Sequence, residues 1–146
     1  MSISKNNAAV IIVISVFMLT IICLTVRRLL SHKILRVDAD KIGSIKIFSG
    51  DTGKIIIISD DNQIKRIINN LHSVSFKKDS FVQDIDGFNY YVDLFGAEDD
   101  LLEEFVIDSE KSLRYKGYLY TAKGSEIDVH YIKNLFELYK EQNNLR

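Results

Sequence analysis

Ala8 to Val26, AAVIIVISVFMLTIICLTV, runs for nineteen residues without a charge, and no other stretch of the chain approaches it. As an α-helix it would span roughly 28 Å, close to the hydrocarbon thickness of a bilayer. A secretory signal has a shorter apolar centre, about 7–15 residues, and a small-residue cleavage site. Thr25-Val26-Arg27-Arg28 offers no such site, and the residue before Cys23 is Ile22, too large for the usual lipid-attachment pattern. A retained single-pass transmembrane helix is therefore expected over residues 8–26, ahead of cleavage or lipidation.

The charges are arranged around this run. Of the 19 Lys and Arg, five flank it (Lys5, Arg27, Arg28, Lys33 and Arg36), and all 20 Asp and Glu lie at Asp38 or later. The net charge of −1 thus hides a formal −6 for the part beyond Val37. Such an acidic domain repels a phosphate backbone, so nucleic acid is not an expected partner. By the positive-inside rule the basic flank would hold the domain in the cytoplasm. The very short N-terminal flank, and the habit of a first helix to act as an uncleaved signal, point the other way. The domain is expected outside the cytoplasm, against the charge count.

From Arg27 to Val37 the chain has no breaker, and Leu30, Ile34 and Val37 fall at helical spacing. A helix continuing out of the bilayer is expected here. Arg27, Arg28, Lys33 and Arg36 are placed to meet lipid head groups, at about 1 kcal/mol per basic residue near an anionic surface. Membrane lipids are thus an expected partner of residues 8–36. The chain divides into a flank (1–7), the apolar run (8–26), a basic segment (27–40) and a domain (41–146).

Within that domain period-two patterns dominate. Ile42–Ser49 alternates, Ser49-Gly50-Asp51-Thr52-Gly53 has turn chemistry, and Lys54–Ser59 (KIIIIS) is β-branched throughout, which predicts a hairpin with a well-buried second strand. Asp60 and Gln63 have capping-box spacing, followed by Ile64, Ile67, Ile68 and Leu71 on one helical face. Further strands are expected at Phe88–Phe95, Leu101–Asp108 and Leu113–Thr121. Ser125 and Asp128 then open a second helix, with Val129, Ile132, Leu135, Phe136 and Tyr139 as its stripe. The predicted fold is α+β, in the order ββαβββα: a mainly antiparallel five-stranded sheet with two helices on one face.

Motifs for chemistry are few. Gly50-Asp51-Thr52-Gly53-Lys54 is similar to a phosphate-binding loop only in its Gly-Lys pair; Phe48 and Ile55 stand where Gly and Ser/Thr are required. Asp84-Ile85-Asp86-Gly87 resembles part of a calcium loop, but the twelfth position is Phe95, leaving only Glu98, Asp99 and Asp100 to complete an irregular oxygen site. His32, His72 and His130 lack metal-ligand spacing, and Cys23, inside the apolar run, is the only cysteine. Glu103 and Glu104, adjacent on a strand, point to opposite faces. No nucleophile–base–orienter set is legible, so no catalytic residue, metal or cofactor is assigned, and a binding role is expected over an enzymatic one.

One pattern has content. Alternation in the last strand sends Leu113, Tyr115, Gly117 and Leu119 to the core, and Arg114, Lys116, Tyr118 and Tyr120 outward. In Phe88–Phe95 it sends Phe88, Tyr90, Val92 and Leu94 inward, and Tyr91, Asp93 and Phe95 outward. Tyr91, Phe95, Arg114, Tyr118 and Tyr120 would then share the helix-free face, in the tyrosine–arginine composition that protein interfaces favour. A bulge at Gly117 would instead turn Tyr118 and Tyr120 toward the core. The layout, from AAVIIVISVF through DDNQIKRIINNL and GFNYYVDLF to IDVHYIKNLFELY, resembles families of small bacterial membrane-anchored or lipid-anchored proteins of uncharacterised function. The resemblance implies an exported α+β domain and carries no functional residues. The expected role is a membrane-anchored module binding a protein or peptide. An acidic inhibitor or immunity-type protein, and a cell-envelope enzyme, are the alternatives.

Overall fold

The computed structural model describes residues 13–22, 34–82 and 87–144. It divides into two compact units, Met1–Ser31 and His32–Arg146. In the first, residues 13–22 are helical and every one of their side chains is exposed. Among the described residues no helix is long and apolar enough to cross a membrane. The rest of the apolar run, 8–12 and 23–26, lies outside them, as do Arg27, Arg28 and Lys33.

The second unit is α+β. A short 3-10 turn (Ala39–Lys41) leads into β1 (Ser44–Ser49) and β2 (Ile55–Ile58), then α1 (Asp61–Ser73), β3 (Ser75–Phe81), β4 (Tyr90–Phe95), β5 (Leu101–Ser109), β6 (Ser112–Tyr115), β7 (Tyr118–Lys123) and α2 (Val129–Asn144). All seven strands form one antiparallel sheet in the order β2-β1-β4-β5-β6-β7-β3. The sheet is therefore two strands wider than the five expected.

The start of α1 follows local chemistry. The Asp60 side chain accepts from Gln63 N at 2.9 Å, satisfying one of the orphan amides of the first turn. Ile64, Ile67, Ile68 and Leu71 are all buried, each contributing about 1.5–3 kcal/mol of apolar transfer. The second helix begins later than expected: the cap is Asp128, whose Oδ1 accepts from Tyr131 N at 3.0 Å. Ser125 instead donates its hydroxyl to Ser73 O at 3.2 Å. The two helices are joined by Asn70 Oδ1 accepting from Asp128 N at 2.8 Å and by the Arg66 guanidinium 3.7 Å over the Tyr131 ring. Both cover one sheet face, over Ile45, Ile47, Ile56, Ile58, Val92, Leu94, Phe105, Ile107 and Leu113, with Phe136 stacked on Tyr90.

Three segments depart from the sequence reading. Residues 34–38 are not helical, and Ile34 and Leu35 are buried in the core, so the packed domain begins before position 41. The stretch Leu113–Thr121 is not one strand but the β6–β7 hairpin. Lys116 (φ 49°) and Gly117 (φ 78°) both adopt the left-handed conformation of a two-residue type I′ turn, which matches the natural twist of paired strands. The second added strand, β3, is a charged run (SFKKDSF) with no alternation to announce it.

Gly117 is required twice over: its φ is positive, and a Cβ there would come within 2.9 Å of the Phe81 ring. Gly117→Ala is expected to cost about 1–2 kcal/mol in urea unfolding of the full chain, whereas an unchanged midpoint would mean that the turn is not of this type.

Candidate functional site

Sheet register assembles two surfaces. On the helix-free face one row reads Ile55–Phe48–Tyr91–Val106–Arg114–Leu119, and the next reads Ile57–Lys46–Asp93–Glu104. Every charge in these rows has a partner on the same face. Lys46 Nζ lies 3.6 Å from Asp93, and Tyr91 donates to Glu104 at 2.7 Å. Arg114 is clamped by Asp108 through Nε at 2.9 Å and through a terminal nitrogen, with both side chains largely buried. Asp93 and Glu104 are opposite each other on neighbouring strands but serve different partners.

What this face leaves uncompensated is apolar. The β2 run is not buried on both sides, as expected, because β2 is an edge strand: Ile56 and Ile58 enter the core while Ile55 and Ile57 are more than half exposed. Phe48 is half-buried against the Phe88 ring at 5.9 Å, so Phe88 too serves the helix-free side, not the core.

Of the residues expected on this face, Tyr91, Phe95 and Arg114 lie there, while Tyr118 and Tyr120 do not. In the β6–β7 hairpin Leu113 faces Tyr120 and Tyr115 faces Tyr118, and cross-strand partners share a face. Both tyrosines therefore turn to the helix side, as the Gly117 alternative anticipated, although by a hairpin turn and not a bulge. The only local signal was Gly117 between two short alternating runs, since lysine is an unusual first residue for such a turn.

This correction creates the second surface. A row on the helix side runs Tyr90–Ile107–Leu113–Tyr120–Lys78, apolar under the helices and charged at its end. Beyond the helices it opens into a cleft of about 340 Å³ lined by Ile34, Arg36, Lys78, Glu103, Tyr115, Lys116 and Tyr120. Glu103 accepts from the Tyr115 hydroxyl at 2.7 Å and pairs with Lys116 at 3.5 Å. The Lys78 ammonium sits 3.1 Å above the Tyr118 ring, whose edge meets Phe81. Arg36, expected at lipid head groups, is exposed on the wall of this cleft.

Gly50–Lys54 is the β1–β2 turn, closed by Ser49 N donating to Lys54 O at 2.8 Å. Asp84 and Asp86 lie outside the described residues, and among the described residues no group of three His, Cys, Asp or Glu is placed to hold a metal. His130 is exposed on α2, and His72 is half-buried near the end of α1. No protein-family model, curated protein or solved structure matches the chain.

Tyr91 reports on the helix-free face. Its hydrogen bond to Glu104, together with partial burial and the Glu104 and Asp93 charges, pushes its pKa up to about 12. An unfolded tyrosine titrates near pH 10, so this contribution to stability is complete below about pH 10 and lost as pH rises through about 12. In spectrophotometric titration a late tyrosinate step is expected to be smaller in Tyr91→Phe than in the wild type, where Tyr90, Tyr115 and Tyr139 also titrate late; a late step of equal size in that variant would show the bond is not made.

Proposed function

We propose that the chain is a membrane-tethered, non-enzymatic binding module that accepts an extended apolar segment of a partner protein as an added strand on β2. The observation that carries this reading is the contrast between the two sheet edges. The β3 edge is protected as natural sheets protect themselves, with Lys77, Lys78 and Asp79 along it and a break in register between Lys78 and Phe81. The β2 edge is four isoleucines, with no charge, proline or register break. An unguarded apolar edge is either a pairing site or an aggregation hazard, and strand addition is a standard mode of peptide recognition. The adjoining Phe48 and Tyr91 extend the apolar strip inward.

The acidic-inhibitor alternative draws less support. Acidic loops lie at opposite ends of the strands: Asp51 between β1 and β2, and Glu98, Asp99 and Asp100 between β4 and β5. On the helix-free face Lys46, Asp93, Glu104, Asp108 and Arg114 are already partnered.

The anchor remains part of the proposal. Residues 13–22 form a helix with apolar side chains exposed all round, and Thr20 donates its hydroxyl to Phe17 O at 2.7 Å, satisfying it within the helix. A helix apolar on every side, with its polar groups satisfied internally, suits hydrocarbon. The domain is proposed to lie outside the cytoplasm.

Two outcomes are expected. In spheroplasts, added protease digests the domain while a cytoplasmic control survives; protection of the domain would place it inside. Ile57→Lys, at an exposed position, changes stability by no more than about 0.5 kcal/mol but releases a partner that the wild type retains from solubilised membranes at about 1 M salt, where charge contacts are screened. Equal retention by the variant, or loss from wild type at high salt, would overturn the edge reading.

A further inference from the structure

We propose that the cleft lined by Arg36, Lys78, Lys116, Glu103, Tyr115 and Tyr120 is a binding site for a phosphate monoester, either soluble or as a lipid head group. The first ground is charge. The part of the chain beyond Val37 carries a formal −6, yet this cleft gathers three cations around one carboxylate. The second is that two of its three cations have no carboxylate partner among the described residues. In the cleft only Lys116 has one. Among the described residues Arg36 and Lys78 have none, and the Tyr120 hydroxyl makes no hydrogen bond.

The third ground is that the site is built. Lys116 occupies the first central position of a type I′ turn, where Asn, Asp or Gly is the usual choice, and accepts φ 49° there. Backbone strain of this kind persists where the surroundings enforce it and clusters at binding sites. Here Glu103 holds both the Lys116 ammonium and the Tyr115 hydroxyl, and Tyr118 seats Lys78. Contact with the Tyr115 oxygen and with Glu103 holds the Lys116 pKa above its ordinary value, so the charge is kept.

The geometry favours one ligand chemistry. A net charge of two positives matches a phosphate monoester dianion and exceeds a single carboxylate. Arg36 adds a planar two-point donor, and the lysines act as point charges. The volume is at the small end for ligand pockets, and Ile34 with the tyrosine rings offers an apolar wall for the rest of the molecule. Arg36 follows the apolar run by ten residues, so a head group is as accessible a source in sequence terms as a soluble ester.

The test is isothermal titration of the full chain in a non-ionic detergent. The probes are glycerol 3-phosphate and dihexanoyl phosphatidic acid, with dihexanoyl phosphatidylcholine as control. One or both anionic probes are expected to bind and the control not to. Binding of the lipid alone identifies a head group; binding of glycerol 3-phosphate identifies a soluble ester. Lys78→Gln, and Lys116→Asn with a residue suited to the turn, should each weaken binding about tenfold or more. Ile57→Lys should leave it unchanged, which separates this site from the edge reading. No binding by either anionic probe, equal binding of the control, or unweakened binding by folded Lys78→Gln would overturn the proposal.

Discussion

Two short amphipathic helices cover one face of a seven-stranded sheet, and they do not reach all of it. Their buried stripes meet the isoleucines of β1 and β2, the centres of β4 and β5, and Leu113 on β6. Past that boundary the same face becomes partly exposed, with Tyr115, Tyr118, Tyr120 and Glu103 only half-buried and Lys78 exposed. The cleft follows from this shortfall. Where helices lie, the face is apolar; where they stop, polar and aromatic side chains line an open cleft.

The uncovered face solves its problem differently. A sheet side without a second layer must satisfy its own polar groups, and here cross-strand pairs do so: Lys46 with Asp93, Tyr91 with Glu104, Arg114 with Asp108. Such pairs add modest stability, but they leave no free charge to attract an ionic partner. The exposed isoleucines Ile55 and Ile57 lie on the β2 side, where the strand edge is also unprotected. The cleft and the edge are thus complementary in character, one carrying uncompensated charge and the other carrying none.

Much of the architecture was legible because local chemistry and period agree. The β1–β2 hairpin, the Asp60 cap of α1 and the stripes of both helices are each announced by spacing and borne out by hydrogen bonds or burial. Three features were not. The β3 strand is held by its pairing with β7, and SFKKDSF has no strand pattern of its own. The isoleucine run looks like a central strand because composition does not say whether a neighbour exists on the far side. The Lys116-Gly117 turn was missed because lysine rarely takes the left-handed conformation, and without that turn an unbroken alternation sends Tyr118 and Tyr120 to the wrong face. For the candidate sites this matters most: Tyr91, Phe95 and Arg114 could be assigned to their face from parity alone, whereas the cleft depends on a turn that inverts it.

By itself the sequence determined the α+β class, the capped first helix, the apolar stripes and the separation of one long apolar run from an acidic domain. These are properties of residues within a few positions of each other, where helix and strand periods act directly. Only the tertiary structure decided that β2 is an edge, that β3 belongs to the sheet, that Ile34 and Leu35 enter the core, and that Arg36, Lys78, Glu103 and Lys116 line one cleft. Those outcomes depend on which strands pair and where the helices stop covering them, and such long-range pairing leaves no periodic trace in the chain.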